Sequence, residues 1–326
     1  MNICFLDKTE FSYTSENRFD SNLRGAENTL INLSIELNKL GHNVTIFNNN
    51  NANRKIKNID WININKLNSS NYNFDIAFSN NDCNFFKLIN AKKNVLISYS
   101  LQNLEKFIRK KQLISYIKYK PKIVTLGKYH SNNRSKLLSL FGSIEINLAV
   151  DDIFFNTRIN NFYDEDLAMF NSRTDRNMKL LLDIWINYIH PYNSKAKLLV
   201  TPDFNLNIKN KSVRFRKMLH KNDYIKDLLK SKIVLLPGHK AELYCLAAEE
   251  ARELCIPIVT LGIGSLSERV EHEKTGFIAK NQKDFGKYTL ELFKDAKVWN
   301  RIRNNLIDLR ASKTWAHTAK SLLLEI

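Results

Sequence analysis

The stretch from Pro237 to Ala279, PGHKAELYCLAAEEARELCIPIVTLGIGSLSERVEHEKTGFIA, constrains this chain more than any other. It reads in order as a loop, a helix, a short buried strand, a glycine turn, a short helix and a strand. Small Ala247, Ala248 and Ala251 surround Glu250, so this helix can pack closely on a sheet. Pro257 sets off the apolar run Ile258-Val259-Thr260-Leu261, which ends in Gly262-Ile263-Gly264-Ser265.

The chain has 326 residues, enough for two domains of ordinary size with a core each. A hydrophobic content of 44% belongs to a globular chain and not to a disordered one. No apolar run approaches the roughly 20 residues that span a bilayer. The opening MNICFLDKTE lacks the basic-then-apolar order of a signal peptide. Cys4, Cys83, Cys245 and Cys255 show no metal-ligand spacing, which suits structural thiols in a reducing cytoplasm. The formal charge of +17 asks for an anionic partner or surface: nucleotide-sugar phosphates, an acidic lipid or polysaccharide, or nucleic acid. It is concentrated in two places. Leu101 to Leu140 holds ten Lys or Arg against one acid, Glu105, and Lys209 to Lys221 holds six and no acid. Solvated helix faces would also account for these charges.

Taken in order, Asn2 to Leu6 is an apolar strand, and a polar loop follows to about Asn22. A helix from Gly25 to Leu40 carries Leu30, Leu33, Leu37 and Leu40 on one face, Gly41 caps it, and Asn43 to Phe47 is the next strand. This is the opening βαβ unit of a doubly wound domain, although the glycine-rich dinucleotide fingerprint is absent. Strands are expected at 74–79, 94–98, 122–126 and 144–149, with helices at 85–90, 101–119 and 129–141. The helix from Leu101 to Tyr119 is amphipathic and basic, a form that can lie on an anionic membrane. A hinge is expected near Phe154 to Asp166, with Asp164-Glu165-Asp166 as a solvated linker. Beyond it come a strand at 167–170, a loop with Arg173 and Arg176, a helix at 178–189, a strand at 197–201, a helix at 224–229 and a strand at 233–236. The last 45 or so residues are helical.

A Glu, seven residues, a second Glu followed by Ala, then an apolar strand, a glycine turn, a further Glu and Thr-Gly-Phe stand at Glu242, Glu250-Ala251, 258–261, Gly264, Glu268 and 275–277. That order resembles family 4 of the retaining GT-B glycosyltransferases. The resemblance implies an α/β chain of two Rossmann-like doubly wound domains facing each other across a cleft. Residues 1–155 would form the acceptor side, 156–310 the nucleotide-sugar side, and 311–326, with Trp315, a helix crossing back onto the first domain. Arg24-Gly25-Ala26-Glu27 is similar to the family's first-domain loop, with Arg24 where a glycine usually stands and able to add a charge contact to the donor phosphates. Val150-Asp151 with Phe155 matches the domain-junction pattern. The family holds the donor diphosphate with an Arg and a Lys, and Arg173 and Arg176 lie in the matching loop. Two departures stand out: Cys245 occupies a position where Gly is common, and the strand-end His has no match in Ile97-Ser98-Tyr99-Ser100. His130 and His239 are the candidates to replace it.

Retaining sugar transfer needs the leaving diphosphate neutralised, the sugar hydroxyls fixed and positive charge tolerated at the anomeric carbon. Arginines and helix amides can neutralise the diphosphate in place of a metal. The resemblance therefore implies Glu242, Arg173 and Arg176 as the catalytic set. The donor-binding set is Glu250, Leu243, Tyr244, Cys245, Leu246, Gly25, Arg24, Gly264 and His239, with no metal or other cofactor. Glu242 would fix a sugar hydroxyl and Glu250 the ribose diol, since one carboxylate accepts two bonds. The expected activity is transfer of a hexose-type sugar from UDP or GDP to a glycan or lipid-linked saccharide, in polysaccharide or glycolipid synthesis. It would take place in the cytoplasm, with 101–140 meeting the inner membrane face. A DNA-modifying glycosyltransferase of the same fold would instead bind duplexes in a salt-dependent way, but no base-reading motif is present, so nucleic acid is not the expected partner. A non-catalytic sugar- or nucleic-acid-binding protein on this scaffold draws support only from Cys245 and the missing His.

Overall fold

A computed structural model describes residues 1–20, 23–67, 72–159, 163–202 and 210–326; Lys209, at the head of the second basic run, lies outside them. The chain divides into two compact units, 1–148 with 314–326, and 149–313.

In the first unit, β1 (Asn2–Leu6) is buried from Ile3 onward. A strand apolar on both faces belongs in the middle of a covered sheet. α1 (Gly25–Lys39) returns the chain to β2 (Asn43–Asn48), which pairs in parallel with β1. A hairpin that the sequence pattern did not announce follows, β3 (Arg54–Ile56) and β4 (Ile59–Asn63). Its turn residues Lys57 and Asn58 have φ of +48° and +66°. Such a turn suits the twist of a hairpin, but without glycine it leaves little mark on the sequence.

β5 (Asn73–Asn80) and β6 (Asn90–Ile97) are joined by a 3-10 turn at Cys83–Leu88 in place of the expected helix. The single basic helix expected from Leu101 to Tyr119 is two, α2 (Leu104–Arg109) and α3 (Leu113–Tyr119). They part at Lys111, φ +53°. There the buried Gln112 accepts from the Cys83 amide and donates to the Asn81 carbonyl. β7 (Lys122–Leu126) leads to α4 (Gly127–Asn133) and a 3-10 turn at Lys136–Ser139, so the expected helix at 129–141 is also broken. β8 (Ser143–Ile146) completes the order β3-β4-β2-β1-β5-β6-β7-β8, parallel except between β3 and β4.

The second unit begins at Ala149, ahead of the expected boundary at 155, because Val150 and Phe154 are buried in its core and carry α5 (Asp152–Asn156) with them. β9 (Asp164–Phe170) takes in Asp164-Glu165-Asp166. These acids are no linker: Asp164 pairs with Lys197 and Glu165 with Lys232. α6 (Met178–Ile184) ends in a π turn, and β10 (Lys197–Val200) follows. Part of the second basic run is an edge strand, β11 (Val213–Phe215). The chain continues through α7 (Lys221–Lys230), β12 (Ser231–Gly238), α8 (Leu246–Glu253), β13 (Ile258–Ile263), α9 (Leu266–Arg269), β14 (Gly276–Ile278), α10 (Gln282–Lys294) and α11 (Ala296–Asp308). The sheet order is β11-β10-β9-β12-β13-β14, all parallel. α12 (Trp315–Glu325) returns to the first unit against α1 and β8, where Thr318 donates to the Asn147 carbonyl.

Each sheet reverses its winding once, between β1 and β5 and between β9 and β12. Loops that leave neighbouring carboxyl ends in opposite directions open a crevice, which is where α/β sheets bind ligands.

Trp315 is buried on α12. Trp315→Ala is expected to destabilise the first unit by about 3–5 kcal/mol, seen as an earlier unfolding transition in a denaturant titration.

Candidate functional site

At the switch point of the second sheet, β9 runs into the loop 171–177 and β12 into the loop 239–245. The two loops are bound together. Arg176 Nε donates to Glu242 Oε2 at 3.1 Å, and Asn177 Nδ2 donates to the Gly238 carbonyl at 2.6 Å. The Arg176 and Glu242 side chains are 15% and 18% exposed, a pair shielded from water yet open on one side. Arg173 is 72% exposed and forks onto Asp175, whose Oδ2 also accepts from Arg176 Nη1. Asp175, given no role from the sequence, thus bridges both arginines.

Glu242 also accepts from the Cys245 amide. The carboxylate therefore caps the turn into α8, and that amide is committed to it instead of being free for a ligand. Burial raises the Glu242 carboxyl above its ordinary range, and the Arg176 charge opposes the rise. Cys245 has φ +59° and ψ +72°, a left-handed conformation that glycine adopts readily. That explains why a glycine suits this position.

Consecutive residues of α8 have opposite fates. Glu249 is 2% exposed and accepts from Arg252, Arg269 and Lys313. Burial works to raise its pKa, but the Arg252, Lys313 and Arg269 charges outweigh it and hold the carboxyl below its ordinary value. Glu250 stays partly exposed, and its Oε2 accepts from the Tyr224 hydroxyl at 2.7 Å. Tyr224 in turn accepts from Asn171 Nδ2 at 2.9 Å. Burial is the chief force on Glu250 and raises its pKa, with Lys221 pulling the other way. Tyr224, Asn171 and Lys221 are given no site role from the sequence, although Lys221 and Tyr224 stand at helical i, i+3 spacing on the helix before β12.

Of the other sequence-predicted residues, Gly264 is a packing requirement. Its φ is +74°, and a Cβ there would lie 2.3 Å from the His239 carbonyl oxygen. The next amide, Ser265, donates to the Glu242 carbonyl at 3.0 Å, so this turn fixes the loop that carries Glu242. His239 accepts from the Ala241 amide through Nδ1. Leu243 is buried, and the buried Tyr244 ring lies under the Arg269 guanidinium at 4.2 Å; Leu246 opens α8. Arg24 and Gly25 belong to the first unit. Arg24 is exposed with its guanidinium 5.9 Å from the Phe11 ring, and its amide donates to Glu27. His130 is fully buried, accepting from the Leu126 amide and donating to the Ser100 carbonyl, with burial lowering its pKa to about 4. It is a structural residue and does not replace the missing His.

Glu249→Gln leaves Arg252, Arg269 and Lys313 without their shared buried anion. The expected loss is about 3–5 kcal/mol at neutral pH. Because the folded-state pKa is depressed, this stability is present above the unfolded-state value and disappears as pH falls through the folded one. Wild type and variant should therefore converge in acid, read by thermal melts across pH.

Residues 205–308 match the model of the glycosyl transferases group 1 family. No curated protein matches. Among solved structures, sucrose-phosphate synthase from Thermosynechococcus elongatus aligns at TM-score 0.71 with 11% identity, over 99% of this chain and 98% of that one. A glycosyltransferase from Rickettsia africae aligns at 0.69 with 14% identity, over 99% and 97%. HepE from Anabaena, in complex with UDP and glucose, aligns at 0.68 with 13% identity, over 99% and 98%. At these identities the likeness is one of fold. The chain has the GT-B fold, and its residues 205–308 carry the pattern of the group 1 glycosyl transferases.

Proposed function

We propose that this protein transfers a hexose-type sugar, with retention and without a metal, from a UDP- or GDP-linked donor to a glycan or lipid-linked saccharide. The observation that carries this reading is the Arg176–Glu242 pair with Glu250 at the β9/β12 switch point. Glu242 and Glu250 lie in the segment that matches the group 1 model. The HepE structure, which holds UDP and glucose on the same fold, supports a nucleotide-sugar as donor. Of the five N–H donors on a guanidinium, Arg176 gives one to Glu242 and one to Asp175. Three remain, and a diphosphate that displaces the Asp175 carboxylate takes the fourth, so that its charge is neutralised as it leaves. Glu242 accepts from a donor-sugar hydroxyl, and Glu250 from the ribose diol.

The acceptor saccharide is assigned to the first unit's switch point. A cavity of about 310 Å³ lies there, lined by Asp7, Asn80, Asn81, Asp82, Lys110 and Gln112 among others, groups that bond hydroxyls. The same unit carries a surface for an anionic membrane. Ile108, Ile114, Ile117, Leu137 and Leu140 are five of the twelve exposed large hydrophobic residues among those described, and Ile114 is 79% exposed. Arg109, Lys110, Lys111, Lys118, Lys120 and Lys136 stand exposed in the same segments. Exposed aliphatic side chains interleaved with cations fit a bilayer with acidic headgroups. Nucleic acid would use the cations and leave the aliphatic groups without a partner. The protein would then act at the inner face of the cytoplasmic membrane.

A nucleotide bound at 100 times its dissociation constant adds about 2.7 kcal/mol of stability. UDP or GDP should raise the melting temperature, and the rise should survive EDTA. Arg176→Ala should weaken binding by tenfold to a hundredfold, about 1.5–3 kcal/mol. Arg173→Ala should do much less, since its exposed pair with Asp175 is screened. No shift with either nucleotide overturns the transferase reading, and the anomeric configuration of the product tests retention.

Vesicles test the membrane surface. Sedimentation with phosphatidylglycerol-containing vesicles is expected, little with pure phosphatidylcholine. The double variant Ile114→Asp, Leu140→Asp should stay in solution with both.

A further inference from the structure

We propose that Lys221 and Tyr224, one turn apart on α7, are positioning residues that hold the Glu250 carboxylate as the acceptor for the ribose diol of the nucleotide. This rests on the nucleotide-binding reading above and adds what makes Glu250 fit for it. Lys221 is the first residue of α7. A cation there opposes the helix dipole, so helix stability does not account for its place. Its Nζ donates to Asp151, whose side chain is wholly buried at the entry to α5. Its charge also acts on Glu250, against both the burial of that group and the repulsion of Asp151.

Tyr224 supplies the direction. Its hydroxyl donates to Glu250 Oε2 and is itself fixed by Asn171 at the end of β9. Phe154 stands edge-on to the Tyr224 ring at 6.5 Å and 5.8 Å from Lys221 Nζ, so one aromatic ring braces both. The charged and titratable groups that act on this carboxylate are thus Lys221 and Tyr224 from α7 and Asp151 before α5, while Cys245, before α8, acts electrostatically on the same Tyr224. Among the described residues no hydrogen bond reaches Glu250 Oε1. One oxygen oriented by a phenol and the other unengaged is the arrangement that receives two adjacent hydroxyls, since a carboxylate has lone pairs for both. A salt bridge that only tied α5 to α7 would need neither Tyr224 nor Glu250 beside it.

The test compares ribose with 2′-deoxyribose. Dissociation constants for UDP and dUDP, and for GDP and dGDP, are measured by calorimetry. Wild type should prefer the ribonucleotide of its chosen base by on the order of tenfold to a hundredfold, the worth of a hydrogen bond to a charged group. Tyr224→Phe removes only the hydroxyl. The double variant Asp151→Asn, Lys221→Met removes both members of the buried pair at once. Each should reduce the preference at least about threefold by weakening the ribonucleotide while leaving the deoxynucleotide unchanged. Lys221→Arg should keep the preference. Folded variants that retain the full preference, or that lose both nucleotides equally, overturn this inference and leave the transferase reading standing. Failure of wild type to bind any of the four removes both.

Discussion

The parallel pairing of β9 with β12, strands that are not consecutive in the chain, is the constraint on which the site depends. β12 is buried along its whole length, so it must lie in the middle of the sheet. The strands that precede it, β10 and β11, already occupy the other side of β9. The exits from β9 and β12 therefore lie side by side while their chains depart in opposite directions. That is why Arg176 reaches Glu242 across 66 residues of sequence. β1 and β5 repeat the arrangement in the first unit, and the cavity at Asp7 and Asn80 lies at their ends.

Electrostatics then divides one helix between two tasks. Glu249, Arg252 and Glu253 fasten the back of α8 to α9 and to the end of α11: Arg269 and Lys313 bond Glu249, and the Ala311 amide bonds Glu253. Arg310 carries the same anchor onward to the carbonyls of Phe154, Phe155 and Thr157. One residue advances about 100° around a helix of 3.6 residues per turn, so Glu250 points away from this knot toward Tyr224. The buried knot fixes the helix, and with it the position from which Glu250 meets Tyr224.

The alternation of apolar runs with helices marks the opening βαβ unit, because a central parallel strand such as β1 or β12 carries its burial in its own composition, and the resemblance supplies the pairing of two doubly wound sheets. The candidate residues Glu242, Glu250 and Gly264 are named through the resemblance, whose motif is local because a helix and a glycine turn are local features. What stayed hidden depends on contacts between distant residues. The Lys57-Asn58 hairpin lacks the usual glycine. The break at Gln112 is set by hydrogen bonds to Asn81 and Cys83. The role of Tyr224 depends on the packing of α7 beside α8, and the ion pairs of Glu249 depend on Arg269 and Lys313, which are distant in the chain. His130 failed as a substitute for the missing histidine for the opposite reason: its sequence position is suggestive, but its side chain is wholly buried and bonded.

Left-handed backbone gathers around the candidate site: Asn177, Gly238, Cys245, Gly262 and Gly264 all have φ between +59° and +90°. Four of these five are residue types that visit this region readily; Cys245 is not, and holding it there costs about 1–2 kcal/mol. Two features offset the cost. The thiol is buried in the core of the second unit, and the twisted backbone aims the Cys245 amide at the Glu242 carboxylate. The side chain that replaces hydrogen at this position is therefore accommodated inside, not on the ligand-facing side. Burial, followed by the nearby Glu242 charge, raises the thiol far above its ordinary pKa, so it remains protonated and unreactive. The departure from glycine thus changes what fills the core beneath the turn while preserving the bond that orients Glu242.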